Sequence, residues 1–109
     1  AMIETQEGLD NLDDILSTPG LDAVYVGPSD LAISLGEDPD AMARAPKVVA
    51  AIEGILEKAQ KHSVIPCIHT GSGEMAKEYL AKGWRLTTIQ NDLRLMLAGT
   101  AQALAAARR

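Results

Sequence analysis

The chain has 109 residues, 47% of them apolar, and a formal net charge of −5. These values indicate one domain with a packed core, and they exclude a disordered chain and the basic surface that nucleic acid binding requires. A single cysteine, Cys67, excludes an intrachain disulfide, and no apolar run approaches the roughly 20 residues that span a bilayer, so we expect a cytoplasmic protein with no membrane partner.

The first element is the end of a short strand, Met2-Ile3, preceded only by Ala1. Ala1 is either a residue added before an initiator Met or an internal residue of a longer protein, and the sequence leaves both interpretations open. Under either one, the chain begins inside a structural element.

A helix and a buried strand come next. Apolar side chains recur at helical spacing through residues 6–17, Thr5 is placed to cap this helix, and Pro19-Gly20 ends it. Residues 21–26 predict a buried strand of β-branched and aromatic character, which Gly27-Pro28 ends.

The middle of the chain contains a turn or short helix at residues 29–36, an acidic loop at 37–40 and a second long helix at 46–61. The long helix is predicted by an apolar stripe at helical spacing. The stripe consists of Val48, Ile52, Ile55, Leu56 and Ala59.

Two more strands and two more helices complete the chain. We predict a strand at residues 64–68, a flexible Gly71-Ser72-Gly73 turn, a helix at 74–82 ended by Gly83, a strand at 84–89 and a final helix at 92–109. Asn91 or Asp92 is placed to cap the last helix. The alternation β-α-β-α-β-α-β-α predicts an α/β fold with a parallel sheet, either half of a (β/α)8 barrel or a small doubly wound sheet.

Two acidic residues follow neighbouring strands: Glu4 comes after the first, and Asp30 comes after the turn that ends the second. Adjacent parallel strands lie about 4.8 Å apart and end at the same edge of the sheet, so the two carboxylates can converge on one hard cation such as Mg²⁺. The Gly27-Pro28 turn can also aim the backbone N–H groups of Ser29 and Asp30 at a carboxylate. Acids at strand ends are more often helix caps, and spacing alone favours that role, with Asp30 capping a turn that begins at Leu31.

Several short motifs carry a resemblance to a known family. They are Met2-Ile3-Glu4-Thr5, Pro19-Gly20-Leu21-Asp22, Tyr25-Val26-Gly27-Pro28-Ser29-Asp30-Leu31-Ala32 and Leu35-Gly36. In these motifs and their spacing, the chain resembles the HpcH/HpaI aldolase (citrate lyase-like) family over essentially its whole length. The resemblance implies that residues 1–109 are a single partial domain, the C-terminal half (four βα units) of a TIM (β/α)8 barrel.

The resemblance also implies an activity and a site. Members of the family are class II pyruvate aldolases that cleave 4-hydroxy-2-oxo acids to pyruvate and an aldehyde, using Mg²⁺, Mn²⁺ or Co²⁺. Glu4 and Asp30 match the metal-ligating carboxylates. Ser29 and Asp30, following Gly27 and Pro28, match the residues whose backbone amides hold the pyruvate carboxylate. Many members have Gln where this chain has Met2, and Met cannot make the hydrogen bonds of that Gln.

The family's catalytic His and pyruvate-binding Arg lie in the first half of the barrel, so we expect no catalytic residue in this chain. His62 is interpreted as a surface residue at a helix end, and His69 as a structural or bystander residue at a strand end near the pocket. Arg85 and Arg94 are assigned to the surface or an interface, and Cys67 to the core.

Half a barrel leaves one face of its sheet open, and parallel sheets are normally covered on both faces. We therefore expect this chain to associate with a copy of itself or with the missing half-barrel. In the resembled family the last helix is exchanged between subunits. Two alternatives to an aldolase remain: a non-catalytic truncated fragment that keeps the fold and the metal site, and a lyase acting on malyl- or citramalyl-CoA-type thioesters.

Overall fold

The computed structural model describes residues 1–41 and 44–108. Arg109, the last residue of the predicted final helix, lies outside this range. The strands are β1 (Met2–Ile3), β2 (Ala23–Val26), β3 (Ile65–Thr70) and β4 (Leu86–Ile89). The helices are α1 (Gln6–Asp10), α2 (Leu12–Leu16), α3 (Pro28–Ser34), α4 (Pro46–Lys61), α5 (Gly73–Ala81) and α6 (Asp92–Ala107), with a short 3-10 helix at Pro39–Ala41.

The four strands form one parallel sheet in the order β1-β2-β3-β4. Each strand therefore neighbours the next one along the chain, and a helical segment makes every crossover. The predicted βα alternation and the parallel sheet are confirmed. Because the strands run in one direction, the residues that follow β1, β2, β3 and β4 all lie at the same edge of the sheet.

Two local predictions were wrong. Residues 6–17 do not form one helix, because the chain breaks at Asn11, which has φ −102° and ψ 15° and separates α1 from α2. Asp30 is not a helix cap, because α3 begins at Pro28 with Gly27 as its N-cap, which places Asp30 inside the first turn. The cap interpretation of Asp30, which spacing alone favoured, is therefore excluded.

The hydrophobic core lies between the sheet and the helices on one of its faces. Alternate strand residues point to this face and pack against α2, α3 and α4. Its fully buried members include Ile3, Val24, Val26, Leu31, Val48, Ile55 and Ile68. The predicted stripe of α4 supplies four buried residues to this core, and Leu56 packs at its margin.

The opposite face of the sheet is open. Met2, Ile65 and Leu86 lie on it and are 57%, 48% and 48% exposed. α6 also has no buried residue, although it carries several large apolar side chains. Within residues 1–41 and 44–108, no helix combines the length and the apolar character needed to cross a bilayer.

Candidate functional site

Glu4 is positioned by the junction between β1 and α1. Ile3, the last residue of β1, is fully buried, and Thr5 caps α1 by accepting a hydrogen bond from the Gly8 N–H at 3.0 Å. Glu4 is therefore fixed between a strand end and a helix start, with its half-buried side chain at the carboxyl edge of the sheet.

Asp30 is positioned by the turn from β2 into α3. Gly27 and Pro28 are buried, and Pro28 occupies the first helical position, where its fixed φ suits the helix and its missing N–H costs nothing. Asp30 follows two residues later with an exposed side chain. A carboxylate in the first turn of a helix is also stabilised by the helix dipole.

The two carboxylates converge on one point above Gly27. A methyl group added to Gly27 would lie 2.8 Å from Glu4 Oε2 and 3.4 Å from Asp30 Oδ2. The two oxygens are thus separated by at most the sum of these distances, about 6 Å. Ligand oxygens on opposite sides of a Mg²⁺ ion are about 4 Å apart, so modest rotations of two flexible side chains allow them to share an ion. The absence of a side chain at Gly27 keeps the space between them open.

No cation from the chain compensates these charges in the part that the structure describes. The ion pairs formed among those residues involve Asp13 and Glu57, and neither Glu4 nor Asp30 takes part. No group of three or more His, Cys, Asp or Glu side chains suited to a metal is found within the same residues. The donor set is therefore two carboxylates with positions left for water and ligand oxygens, which suits Mg²⁺ or a similar hard cation.

A cavity of about 260 Å³ lies at the turn from β2 into α3 and includes Met2, Tyr25, Ser29, Asp30 and His69 in its lining. A neighbouring hollow of similar volume shares Ser29 and His69 with it. A larger concavity, about 990 Å³, lies elsewhere, around the N-terminal ends of β3 and β4, and its lining contains no carboxylate. We favour the smaller cavity, because ligands of parallel α/β folds bind at the carboxyl ends of strands.

Sequence reasoning missed a line of three polar side chains on the open face. The Tyr25 hydroxyl lies 2.6 Å from Thr88 Oγ1, and Thr88 Oγ1 lies 2.9 Å from His69 Nδ1. Tyr25 is on β2 and Thr88 is on β4, so the tyrosine side chain reaches across β3. His69 is thus hydrogen-bonded at the cavity wall, and its structural or bystander role stays a prediction. The sequence contained one sign of this line, because Tyr25 lies two residues before Gly27, and residues two apart on a strand point to the same face of the sheet.

The other candidates lie in simpler surroundings. His62 ends α4, with Nε2 3.2 Å from Asp13 Oδ1, and the Lys58 ammonium, followed by His62, holds the pKa of the Asp13 carboxyl below its usual value. Cys67 is 6% exposed, and burial raises the pKa of its thiol. Both predictions, a surface histidine and a buried cysteine, are confirmed.

Two further predictions concern the remaining polar candidates. Arg85 and Arg94 are exposed, as expected, although Arg94 lines the hollow next to His69. In the Gly71-Ser72-Gly73 segment, Ser72 Oγ caps α5 by accepting from the Met75 N–H at 3.1 Å.

Comparison with known proteins agrees with this architecture. The chain is 42% identical over 108 residues to a hydroxypyruvate/pyruvate aldolase of Rhizorhabdus wittichii, covering 99% of the chain and 43% of that protein. It is 36% identical over 104 residues to a 4-hydroxy-2-oxo-heptane-1,7-dioate aldolase of Klebsiella pneumoniae, covering 95% and 38%. A crystal structure of an HpcH/HpaI aldolase/citrate lyase family protein from Burkholderia cenocepacia superposes with a TM-score of 0.92 at 36% identity, over 99% of the chain and 41% of that structure.

The chain therefore spans about two fifths of the length of the relatives it matches. Its four βα units correspond to part of the TIM barrel that these structural relatives form, which confirms the predicted half-barrel. The sequence profile of the HpcH/HpaI aldolase/citrate lyase family matches residues 1–98, and the chain belongs to this family.

Proposed function

We propose that the chain is the part of a cytoplasmic, divalent-metal-dependent aldolase that holds the metal and the 2-oxo acid. The observation that carries this proposal is the convergence of Glu4 Oε2 and Asp30 Oδ2 above Gly27, at the carboxyl edge of the sheet. Family membership supports the aldolase reaction class, and the two relatives above are both named aldolases. The substrate class is a 4-hydroxy-2-oxo acid, which is cleaved to pyruvate and an aldehyde.

Each residue of the site has a defined role in this proposal. Glu4 and Asp30 hold the cation, Mg²⁺, Mn²⁺ or Co²⁺, and water and the ligand complete its coordination. The N–H groups of Ser29 and Asp30 lie in the first turn of α3, at a helix end that favours anions, and they bind the carboxylate of the oxo acid. Gly27, which has no side chain, and Pro28, which fixes the backbone at the start of α3, allow this turn to lie close to the ligand.

When bound, the cation supplies Lewis-acid stabilisation of the negative charge that develops on the 2-oxo oxygen. In the cleavage, the 4-hydroxyl loses its proton, the bond between C3 and C4 breaks, and C3 then gains a proton to give pyruvate. We assign neither proton transfer to this chain. The residues described here bind and orient the substrate, and the family's catalytic histidine and substrate arginine belong to the first half of the barrel.

We further propose that the open sheet face is covered by that first half. Met2, Ile65 and Leu86 are about half exposed on this face, whereas the interior of a (β/α)8 barrel is filled by side chains from all its strands. The chain also covers only about two fifths of its relatives, so their remaining residues include strands that lie against this face. α6, whose apolar side chains are exposed along its length, is proposed to pack against a neighbouring subunit.

The activity is tested in a complete barrel. Residues 1–109 are fused behind the N-terminal half of the 42% identical relative, and pyruvate release from a 4-hydroxy-2-oxo acid is followed with and without Mg²⁺ or Mn²⁺. We expect metal-dependent release that Glu4→Gln and Asp30→Asn each reduce about 100-fold or more, because losing a residue that only supports a metal ligand already costs about 10- to 100-fold.

The matched control is Asp22→Asn, an exposed acid at the opposite end of β2, which is expected to leave the rate unchanged. Metal-independent activity, or full activity in Asp30→Asn, contradicts the proposal. A fusion that folds and binds metal but turns over nothing supports the non-catalytic alternative. Turnover of CoA thioesters only supports the acyl-CoA lyase alternative.

A further inference from the structure

We propose that the line Tyr25–Thr88–His69 recognises a hydroxyl group on the substrate and so selects hydroxylated carbonyl compounds over unhydroxylated ones of equal size. The proposal rests on the proposed function and adds a specificity element to the same site. Tyr25 and His69 line the cavity that Asp30 also lines, so both residues adjoin the space assigned to the substrate. Thr88 does not line this cavity and is a positioning residue.

The location of the line argues against a role in folding. Tyr25 and His69 are half-buried and Thr88 is exposed, on a face that no described helix covers. In the complete barrel these polar groups are covered by the first half, and replacing a buried hydrogen-bonded pair by apolar groups of the same shape is nearly neutral or stabilising, so folding does not require the line. The interior of a (β/α)8 barrel is usually filled by bulky branched residues. A connected polar line in that layer, at the wall of a cavity that Asp30 also lines, therefore indicates ligand recognition.

The arrangement of hydrogens gives the chemistry of the ligand. Thr88 has one hydroxyl hydrogen and accepts from one neighbour when it donates to the other. If Thr88 donates to His69 Nδ1, Tyr25 donates to Thr88, and the line ends with an Nε2–H donor on His69 and an acceptor oxygen on Tyr25. If Thr88 donates to Tyr25, His69 Nδ1–H donates to Thr88, and the line ends with a Tyr25 O–H donor and an acceptor Nε2.

Both arrangements leave one donor at one end of the line and one acceptor at the other. A hydroxyl group both donates and accepts a hydrogen bond, so it can pair with the end of the line that faces the substrate in either arrangement, whereas a methyl group leaves that end without a partner. Sites built to bind a hydroxyl discriminate against analogues that lack it because their polar atoms are then desolvated without compensation. The hydroxyl can be carried by the oxo acid or by the aldehyde, and the two sources are separated by experiment.

The test compares substrates of matched size in the complete fused barrel. One arm pairs hydroxypyruvate with 2-oxobutanoate as the oxo acid, and the other pairs glycolaldehyde with propionaldehyde as the aldehyde. The measured quantity is the ratio of kcat/KM for the hydroxylated compound to that for its partner. We expect Thr88→Val to lower this ratio about 10- to 100-fold in one arm, which identifies the source of the hydroxyl, and Thr88→Ser to restore it.

The control is Thr87→Val, the same change one residue earlier and on the opposite face of β4, which is expected to leave both ratios unchanged. Ratios that stay within twofold of the parent in both arms for Thr88→Val overturn the inference, as does a failure of Thr88→Ser to restore the ratio. If no substrate pair is turned over, the proposed function fails. This inference is then decided by calorimetry, which measures the ratio of the affinity for hydroxypyruvate to the affinity for 2-oxobutanoate in the same variants.

Discussion

Replacing Gly27 by alanine tests the convergence of the two carboxylates without removing either of them. The added methyl group would lie 2.8 Å from Glu4 Oε2, so that oxygen must move by about 0.5 Å or more to reach van der Waals contact. It would also lie 3.4 Å from Asp30 Oδ2, in van der Waals contact with the second carboxylate. Functional groups must be held within about 0.5 Å of their working geometry, so we expect Mn²⁺ affinity to fall about 10- to 100-fold.

The stability of the fold is expected to change by only about 1 kcal/mol. Gly27 has φ −97° and ψ 93°, which alanine adopts without strain, and the group displaced is the end of a flexible side chain. Alanine restricts the unfolded chain more than glycine does, which stabilises the folded state by about 0.4–1 kcal/mol and offsets part of the cost of the close contact with Glu4. Urea unfolding measures this value, and calorimetric titration with Mn²⁺ measures the affinity.

Gly54→Ala is the matched control, because no other group lies within 4 Å of the added methyl and the residue is in the interior of α4. It is expected to stabilise the protein by about 1 kcal/mol and to leave metal affinity unchanged. If Gly27→Ala binds Mn²⁺ as tightly as the parent, the two carboxylates do not share an ion above Gly27.

Three further predictions concern the thiol, the core and a helix cap. Cys67 should react slowly with iodoacetamide at pH 8, because burial raises the pKa of its thiol and lowers the thiolate fraction. The reaction rate should increase as the pH is raised. Labelling as fast as that of a free thiol contradicts this prediction. Ile55→Ala should cost about 2–5 kcal/mol in urea unfolding, whereas Ile33→Ala, at a site 58% exposed, should change stability by about 0.5 kcal/mol or less. Asn91→Ala removes the side chain that accepts a hydrogen bond from the Arg94 N–H and caps α6. Hydrogen exchange in the first turn of α6 should therefore accelerate about fivefold or more, whereas exchange in α4 should not change.

The periodic parts of the fold were predictable from the sequence. α4 runs from Pro46 to Lys61 as expected, because its apolar stripe and the proline at its first turn both act locally. The break at Asn11 was not predictable, since Leu9 and Leu12 keep the helical spacing across it. There the direction of the backbone changes while the apolar side chains still face the core.

The candidate site was predictable only where topology determines it. Glu4 and Asp30 follow neighbouring parallel strands, so their proximity follows from the order of the elements. The contact between Tyr25 and Thr88 depends instead on the register of β4 against β3, in which Thr88 pairs with His69. A shift of one residue would place Thr87 on the open face, and the sequence around two adjacent threonines does not distinguish these registers.

Anomalous diffraction from crystals of the complete barrel soaked in Mn²⁺ tests the central claim most directly. We expect a single peak at the carboxyl edge of the sheet, about 2.2 Å from one oxygen of Glu4 and one oxygen of Asp30. A peak that contacts only one of these residues, or that lies elsewhere while this edge shows none, would contradict the account.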